Sequence, residues 1–385
     1  MSGNKVIILG NDHTNSLGVA QSLGCAGFRV IASVWGRRSG LLAASKYVND
    51  IISGASPQAC IDKIVAQVGE EGYPIPIIAT CDGAAVALEE NHDVLSPRFV
   101  FEHAKGTYTI SQLSVKELQV TLAEQCGFNV PKSQMINSID ELAAKVTFSP
   151  PYLIKSLVSM EGSKNDLIIC NSPEELQKQA TIVLGRTPRI LVQQYIEHDY
   201  EISILGCGLK NGGCVTPAIE NKLTLYPKNV GLVCLAYVEE FQDCGIKESI
   251  HKLVETIGYV GLFSVEMMHC KKDGKFYFTE INLRNDGANA FIQKYGINLP
   301  ATHVRDLLGQ KQEHVTQLTP NYYIWEMHHF LSLLHREISL WQWLRELRKS
   351  RGFLTYRKED KRPFYKQFSN YFLAKLHLRR EKSYE

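Results

Sequence analysis

Apolar and polar positions divide the chain into a first third and a longer remainder. In the first third, short apolar runs alternate with segments that have helical spacing. Such an alternation predicts a parallel β-sheet with helices on both faces. The predicted strands are 6–9, 29–34 and 75–80, and the predicted helices are 17–23, 59–68 and 84–91.

An open parallel sheet has its ligand crevice at the carboxyl ends of its strands. The polar residues that follow the predicted strands there are Asn11, Asp12 and Asp82. The glycine fingerprint of dinucleotide sites does not occur, because seven residues separate Gly10 from Gly18. We therefore exclude a dinucleotide site. Two interpretations stay open for these residues: ordinary turn chemistry, or contact with a second substrate.

From about residue 111 the pattern becomes that of an α+β body with antiparallel sheets. Segment 113–126 has helical periodicity, and two further helices are predicted at 173–183 and 247–257. The predicted strands are 152–155, 167–170, 190–194, 201–207, 215–219, 231–236, 262–269 and 276–281.

The C-terminal part is aromatic and basic. Apolar residues recur with helical spacing over 322–349, and 14 Lys and Arg stand against 6 Asp and Glu from Arg336 to Glu385. A basic amphipathic helix packs on its own protein by default, and binding to an anionic surface or lipid is the alternative. His328, His329 and His335 are predicted to be surface or packing residues, because no nearby carboxylate or Cys completes a metal site with them.

The whole chain has a nearly even charge, which gives no sign of nucleic-acid binding. It holds 42 Lys and Arg against 40 Asp and Glu. The ten cysteines include no CxxC pair and are typical of a reducing compartment. The first residues lack the apolar run of a signal peptide, so we expect a cytoplasmic protein.

The most informative segment is a predicted hairpin with acidic residues. Its strands carry Glu266 and Glu280, joined by a turn at 271–274, and Asn282 follows on the same face as Glu280. Three oxygen donors on one face suit Mg²⁺ held together with phosphate oxygens. Arg284 lies two residues further on, where it could contact a transferring phosphoryl group. The alternative is a surface pair of acids, which would repel each other without a cation.

A second group of candidates is basic. Lys155 ends an apolar strand, and Lys116 lies near the start of the helix predicted over 113–126. Between Lys155 and the hairpin is the polar loop 159–164, whose backbone N–H groups could fold over a phosphate. Each lysine alone is a normal surface residue. Their combination with the acids makes them candidates.

The third group is a strand that runs into a linker. Residues 190–194 are followed by a polar segment, and the next strand begins with Glu201. Such a linker is expected to leave backbone N–H and C=O groups unpaired, so that they can bond the edge of a flat base. Glu201 could then accept hydrogen bonds from ribose hydroxyls.

In this order and spacing, the three groups resemble the ATP-grasp superfamily over about residues 5–310. The most specific match is FTEINLRNDGANAF, which resembles the family's terminal E-I-N-P-R strand with Leu283 in place of proline. The resemblance implies ATP and Mg²⁺ (or Mn²⁺) as cofactors. It implies phosphate binding by Lys116 and Lys155, adenine binding by Gln194, Tyr195 and Ile196, ribose binding by Glu201, metal binding by Glu266, Glu280 and Asn282, catalysis by Arg284 and Lys155, and a lid that includes Ser163 and Lys164.

The same resemblance divides the chain into domains. It implies a pre-ATP-grasp αβ domain (1–110), a linker helix (111–145), a lid subdomain (146–200), a C-terminal subdomain (201–318) and a helical basic extension (319–385). Apart from Leu283, the chain departs from the family in its short lid loop and in Val115, which precedes Lys116 in place of the common Asp.

The resemblance also implies an activity. ATP-grasp enzymes typically phosphorylate a carboxylate and let an amine attack the acyl phosphate, so we expect a carboxylate–amine ligase that releases ADP. The segments 287–290 and 295–300 are most similar to the branch of D-aspartate ligase and carbamoyl-phosphate synthase, which includes enzymes acting on cell-wall or capsule precursors. The alternatives are activation of bicarbonate, or a nucleotide-binding scaffold without activity. A homodimer through the first two domains is plausible by the same resemblance.

Overall fold

The fold was obtained as a computed structural model, which describes residues 4–36, 39–156, 167–228, 231–242, 245–311 and 317–381. The predicted loop 159–164, with Ser163 and Lys164, lies outside the described residues.

The first unit is a parallel sheet in the order β3-β2-β1-β4-β5. Its strands, with one short strand that pairs elsewhere, are β1 (Lys5–Asn11), β2 (Arg29–Trp35), β3 (Val48–Ser53), β4 (Ile75–Ala79), β5 (Phe99–Phe101) and β6 (His103–Ala104). The helices between them are α1 (Thr14–Cys25), α2 (Leu41–Ala44), α3 (Pro57–Gln67), α4 (Asp82–Glu90) and α5 (His92–Leu95).

Alternate residues of β1 point to opposite faces of this sheet, and both faces are covered. Val6 and Ile8 pack in one cluster with Leu17 of α1. Ile7 and Leu9 belong to the cluster that holds the apolar side chains of α3 and α4. The period of two along a strand therefore confirms the prediction of a parallel sheet between two helical layers.

Two helices link this unit to the rest of the chain. They are α6 (Ile110–Leu113) and α7 (Lys116–Gln125), where the sequence pattern predicted a single helix over 113–126. The reason is local: Thr109 and Gln112 form a capping box that starts α6 early. Ser114 then ends this helix and donates its hydroxyl to the carbonyl of Ile110.

A small antiparallel sheet follows, in the order β7-β10-β8-β9. Its elements are β7 (Ser133–Ile136), α8 (Leu142–Lys145), β8 (Tyr152–Ser156), β9 (Leu167–Cys170), α9 (Pro173–Leu184) and β10 (Ile190–Gln194). Ile154, Leu176 and Val192 form its core. Strand β7 begins within the range assigned to the linker, so the sheet of the expected lid starts earlier than residue 146.

The large sheet has the order β15-β14-β11-β12-β13-β16-β17, and β6 joins it at β14. It is antiparallel except where β17 pairs with β16. Its strands are β11 (His198–Gly208), β12 (Cys214–Tyr226), β13 (Leu232–Glu240), β14 (Tyr259–Cys270), β15 (Phe276–Asn282), β16 (Asn321–Ile324) and β17 (Gly352–Phe353). The helices α10 (Lys247–Ile257), α11 (Asn289–Ile292) and α12 (Leu299–Leu307) accompany it.

The C-terminal part contributes to the sheet as well as adding helices. It forms β16 and β17 together with α13 (Glu326–Leu334), α14 (Leu340–Lys349) and α15 (Arg362–Glu381). The helical spacing expected over 322–349 is therefore wrong for its first residues. Tyr323 and Ile324 are buried in β16 beside β13, and Arg336 interrupts the helices with a φ of 60°.

One of the three histidines packs between two helices. Nε2 of the buried ring of His329 is 2.8 Å from Oε2 of Glu346 on α14. The sequence could not show this contact, because it joins two helices that pack only in the fold. Two residues form a packing contact rather than a metal site, and no metal-binding group of three His, Cys, Asp or Glu occurs in the described part of the chain.

Within the same described ranges, the helices are too short or too polar to cross a bilayer.

Candidate functional site

The acidic residues of the predicted hairpin face one another in the large sheet. Glu266 of β14 pairs directly with Glu280 of β15, and Ser264 pairs with Asn282. Nδ2 of Asn282 lies 3.2 Å from Oε1 of Glu266. Two carboxylates and an amide thus share one face at the end of β15, as the period of two along a strand predicts.

Each carboxylate of this pair is held by a lysine. Nζ of Lys116, at the start of α7, lies 3.1 Å from Oε2 of Glu280. Nζ of Lys222, on β12, lies 2.7 Å from Oε2 of Glu266. Two ammonium groups therefore neutralise the like charges that the sequence argument assigned to a metal ion alone.

Burial and these ion pairs shift the pKa values of the two acids in opposite directions. Burial raises the pKa of Glu266 more than Lys222 lowers it. Burial also acts to raise the pKa of Glu280, but the charges of Lys116, Lys222 and Arg284 outweigh it and the pKa is lowered. In Lys222, burial is outweighed by Glu266 and Glu220, so its pKa is raised and it stays an ammonium ion.

The second predicted lysine lies in the same cleft. Lys155 is on β8, between Leu191 of β10 and Leu167 of β9. Burial, and then the positive charge of Lys116, lower its pKa to about 8, while Glu280 acts in the opposite direction. The two lysines predicted as phosphate ligands are thus close enough for the charge of Lys116 to lower the pKa of Lys155.

Arg284 connects this cleft to the first unit. Its Nε lies 2.9 Å from Oδ1 of Asp82, at the start of α4. Its Nη2 donates to Oδ1 of Asn282 (3.0 Å) and its Nη1 to the carbonyl of Asn285 (3.1 Å). Burial acts to lower the pKa of Arg284, but Asp82 and Asp286 raise it, so the guanidinium is a fixed positive charge.

The remaining candidates of the first unit serve mainly in turns. Both carboxylate oxygens of Asp12 accept backbone N–H groups at the start of α2, from Gly40 (2.5 Å) and Leu42 (3.0 Å). Nδ2 of Asn11 donates to the carbonyl of Trp35 at 3.3 Å. Of the two interpretations left open by the sequence, the structure supports turn chemistry for Asp12 directly.

The expectation of an unpaired linker after β10 is wrong for its first residues. The backbone N–H of Gln194 donates to Lys132 (2.7 Å), and that of Tyr195 donates to Pro151 (2.9 Å). The preceding segments of the small sheet reach these groups, which sequence alone could not show. A base would therefore have to contact the linker through groups other than these two N–H groups.

Glu201 lies on β11 beside other charged groups. Its Oε1 is 3.5 Å from Nε2 of His198, and its Oε2 is 4.0 Å from Nζ of Lys222. Lys222 therefore links the candidate ribose ligand to the acidic pair. The sequence pattern did not indicate Lys222, because its strand was predicted only to 219. The available signal was the alternation of the polar residues Glu220 and Lys222.

A cavity of about 1230 Å³ opens on the side of Arg284 and Glu266 that faces the first unit. Its wall includes Asn11, Asp12 and Asp82, the three residues named as possible substrate contacts. It also includes Glu220, whose pKa burial raises to about 7 and whose carboxylate accepts the hydroxyl of Tyr323.

The chain is similar to known proteins over a large part of its length. The sequence model of the ATP-grasp domain matches residues 121–290. A formate-dependent phosphoribosylglycinamide formyltransferase of Wolinella succinogenes is 25% identical over 209 residues, covering 50% of each chain. The D-aspartate ligase of Enterococcus faecium is 21% identical over 345 residues, covering 79% of this chain and 77% of that protein.

Solved structures of similar fold include one with nucleotide. The N5-carboxyaminoimidazole synthetase of Staphylococcus aureus in complex with ADP has a TM-score of 0.67 at 16% identity, covering 88% of this chain and 86% of that one. At this identity the likeness shows the fold alone. The first curated relatives are matched over about half of their length. The matched residues 121–290 contain both acids, Lys155, Lys222 and Arg284, and this part of the chain is an ATP-grasp domain.

Proposed function

We propose that the chain is an ATP- and Mg²⁺-dependent ligase that joins a carboxylate to an amine and releases ADP and phosphate. The observation that carries the proposal is the convergence of Glu266, Glu280, Lys116, Lys155 and Arg284 in one cleft. Oxygen ligands for a metal, cations for a triphosphate and a fixed guanidinium are what phosphoryl transfer to an anion requires.

In this proposal ATP lies between the small and the large sheet. Lys116 and Lys155 bind its phosphates, since both are cations near the acidic pair. The linker after β10, with Gln194, Tyr195 and Ile196, contacts the adenine. Glu201 accepts from the ribose hydroxyls. Because Gln194 and Tyr195 already donate their backbone N–H groups, we expect their carbonyl oxygens and the backbone N–H of Ile196 to recognise the base.

The metal would be held by Glu266, Glu280 and Asn282. The donor set fits Mg²⁺, because two carboxylates and one amide oxygen are hard ligands on a single face. Bound there, Mg²⁺ would neutralise developing phosphate charge. Lys116 and Lys222 now occupy the outer oxygens of the two acids, so we expect them to turn toward the phosphates when the metal binds.

The reaction needs two bond exchanges. A carboxylate oxygen attacks the γ-phosphorus, the bond to the β-phosphate oxygen breaks, and ADP leaves. The amine nitrogen then attacks the carbonyl carbon of the acyl phosphate, phosphate leaves, and the nitrogen loses a proton. Arg284 can hold the carboxylate and then the acyl phosphate, because its guanidinium lies beside Asn282 at the end of the metal face.

The names of the sequence relatives favour this class of reaction. One name contains formate and the other D-aspartate, and both substances are carboxylates. A carboxylate donor for this chain is our proposal, and its identity is the finer question. Three further points stay predictions. They are that the donor belongs to a cell-wall or capsule precursor, that the chain is a homodimer, and that its basic extension binds an anionic surface.

The test is release of phosphate from ATP by the full chain with Mg²⁺. We expect release only when a carboxylate and an amine are both supplied, first from a pool of amino acids with formate and sugar acids. Phosphate release that depends on bicarbonate alone would contradict the proposed ligase and would indicate a bicarbonate-activating enzyme. If calorimetry shows that ATP binds but no acceptor supports turnover, the result would contradict the proposed ligase and would indicate a nucleotide-binding scaffold without activity.

A further inference from the structure

The cavity beside Arg284 is larger than an amino acid needs. Its volume is about 1230 Å³, whereas pockets for drug-sized ligands span about 300–1,000 Å³. Among the described residues that form its wall, Glu266 and Arg284 mark the end where phosphate would be transferred. The adenine linker (194–196), Lys116 and Lys155 are not part of that described wall. The cavity therefore lies on the side of the second substrate, and ATP would leave most of it open.

The far wall of this cavity is formed by the C-terminal helix α15. Its residues there are mostly one, three or four positions apart, so they lie on one broad side of the helix. They are Lys366, Gln367, Asn370, Tyr371, Leu373 and Ala374. Most of this face is polar, so the helix offers hydrogen-bond donors to the cavity. None of these residues belongs to the matched domain, which ends at 290.

Helix α15 is fixed in this place by buried polar contacts just before it. Asp360 is 3% exposed and accepts hydrogen bonds from Gln21 Nε2 (3.0 Å), Ser45 Oγ (2.5 Å) and the N–H of Lys46 (3.0 Å). On the helix itself, Nδ2 of Asn370 donates to the carbonyl of Ser39 at 2.6 Å. Helix α15 is thus attached to the first unit both just before its first residue and at its middle.

A second buried residue strengthens the same attachment. Arg357 donates to Gln21 Oε1 (2.8 Å), Gln293 Oε1 (2.7 Å) and the carbonyl of Ala290 (3.0 Å). It joins α1, α11 and the start of the C-terminal helix. The position of α15 is therefore determined by the protein's own core.

Lys366 is the cation of this wall that is not assigned to the phosphates or to the reacting carboxylate. Arg284 is paired with Asp82, and Lys222 is paired with Glu266. Lys366 has no acidic partner among the described residues, and its stem packs against Gly40, where an added Cβ would come 2.9 Å from its Cε. An ammonium group without an acidic partner can form a direct charge-assisted hydrogen bond with an anionic group of a ligand in the cavity.

We propose that this cavity binds a large second substrate, which carries an anionic group distant from the carboxylate or amine that reacts, and that Lys366 binds this anion. The inference rests on the proposed ligase function. It specifies a substrate class: a sugar-sized or larger scaffold that bears a phosphate or a second carboxylate, with Asn370 and Gln367 donating to its polar groups.

The test compares probes that differ only in the distant anion. One pair is glucosamine and glucosamine 6-phosphate, which offer an amine. The other pair is glucuronate and glucuronate 1-phosphate, which offer a carboxylate. Binding to the full chain is measured by isothermal titration with ADP and Mg²⁺ present, so that no turnover is needed. In at least one pair we expect the phosphorylated member to bind about tenfold more tightly, which corresponds to about 1.4 kcal/mol, because it gains a charge-assisted hydrogen bond.

Matched variants assign the preference to the residue. Lys366→Ala should reduce the preference to below about threefold, and Lys366→Arg should keep it. Lys361→Ala removes an exposed cation from the same end of the chain and should leave the preference unchanged. Ala374→Trp fills the cavity wall and should weaken all four probes, which tests the size argument apart from the charge.

Two results would overturn the inference. One is equal binding of both members in both pairs, or no binding of any probe. The other is a preference that Lys366→Ala does not change. Binding with the expected preference but without phosphate release from any carboxylate and amine would instead contradict the proposed function.

Discussion

Lys116 and Lys222 each hold one carboxylate of the acidic pair, and both would lie beside a bound triphosphate. Their contacts are close, at 3.1 Å to Glu280 and 2.7 Å to Glu266. An ammonium group on a carboxylate occupies the oxygen that a metal would use. The nucleotide offers these lysines new anionic partners, so metal and phosphate should bind together more tightly than either alone.

The first prediction concerns the acid that bonds Lys116. Replacing Glu280 by Gln removes a carboxylate from the metal face and keeps the shape of the side chain. We expect phosphate release to fall at least about 100-fold, which corresponds to about 2.7 kcal/mol in the barrier. The control is Glu197→Gln, an exposed acid on the surface of the same region. Unchanged turnover in Glu280→Gln would show that the metal face is assigned wrongly.

The second prediction concerns the pH dependence of ATP binding. Burial and Lys116 lower the pKa of Lys155 to about 8, so Lys155 is charged below this pH and becomes neutral above it. A bound triphosphate favours the ammonium form. Affinity for ATP should therefore be constant below pH 7 and fall above pH 8, by up to about tenfold per pH unit. Titration calorimetry from pH 6 to 9.5 measures this.

Two variants separate this effect from general loss of stability. Lys155→Arg keeps its charge throughout the range, so its profile should be flat above pH 8. Lys178→Arg, on the exposed side of α9, should follow the profile of the unmodified chain. Superimposable profiles for Lys155→Arg and the unmodified chain would contradict the assignment.

At the residue scale, the sequence could predict what depends on short range. The opposition of Glu266 and Glu280 follows from one hairpin and its period of two. Lys222 could not be found in this way, because it reaches Glu266 across the intervening strand β11. The same is true of His329 and Glu346, which lie on different helices.

Helix α15 shows what an anchor contributes at the scale of an element. Asp360 precedes the helix and accepts three hydrogen bonds from α1 and the segment after α2. Removing one partner leaves buried donors unsatisfied, and each costs about 1–3 kcal/mol. The helix can keep its position over the cavity only while these bonds are made.

The third prediction follows from this anchor. Asp360→Ala should lower the free energy of unfolding by about 2–4 kcal/mol, because the amide of Gln21 and the hydroxyl of Ser45 lose their acceptor. Urea unfolding followed by tryptophan fluorescence measures the loss. Glu359→Ala changes the exposed neighbour and should stay within about 0.5 kcal/mol of the unmodified chain. Equal midpoints for the two variants would show that the anchor is not a stabilising contact.

Elements with strong periodicity were predictable, and short edge elements were not. The predicted helix 247–257 coincides with α10, whose buried residues recur at helical spacing along its whole length. Strand β7 escaped prediction because only Ile136 of its four residues is buried, so it has little apolar pattern. Strand β16 was not predicted, because its aromatic residues continue the apolar spacing of the helix that follows.

At the scale of the whole molecule, the first unit and the ATP-grasp domain meet behind Arg284. Nδ2 of Asn15 on α1 donates to the carbonyls of Thr80 (3.0 Å) and Asn285 (2.9 Å), which joins the end of the parallel sheet to the loop after β15. One turn further along α1, Gly18 packs against Ala290 of α11. The loop that carries Arg284 is therefore positioned by a helix of the other unit.

The last prediction tests this junction. Alanine is better than glycine within a helix by about 1 kcal/mol, so Gly18→Ala would stabilise an isolated α1. In the fold, however, the new Cβ would lie 2.6 Å from the Cβ of Ala290, and the helices must separate. We expect a lower melting temperature and, because Asn285 moves with α11, lower turnover. Gly18→Ala with Ala290→Gly removes the clash and should restore both. Gly69→Ala, which meets nothing within 4 Å, is the control. A higher melting temperature for Gly18→Ala alone would show that helix propensity outweighs this contact and that the junction does not set the position of Arg284.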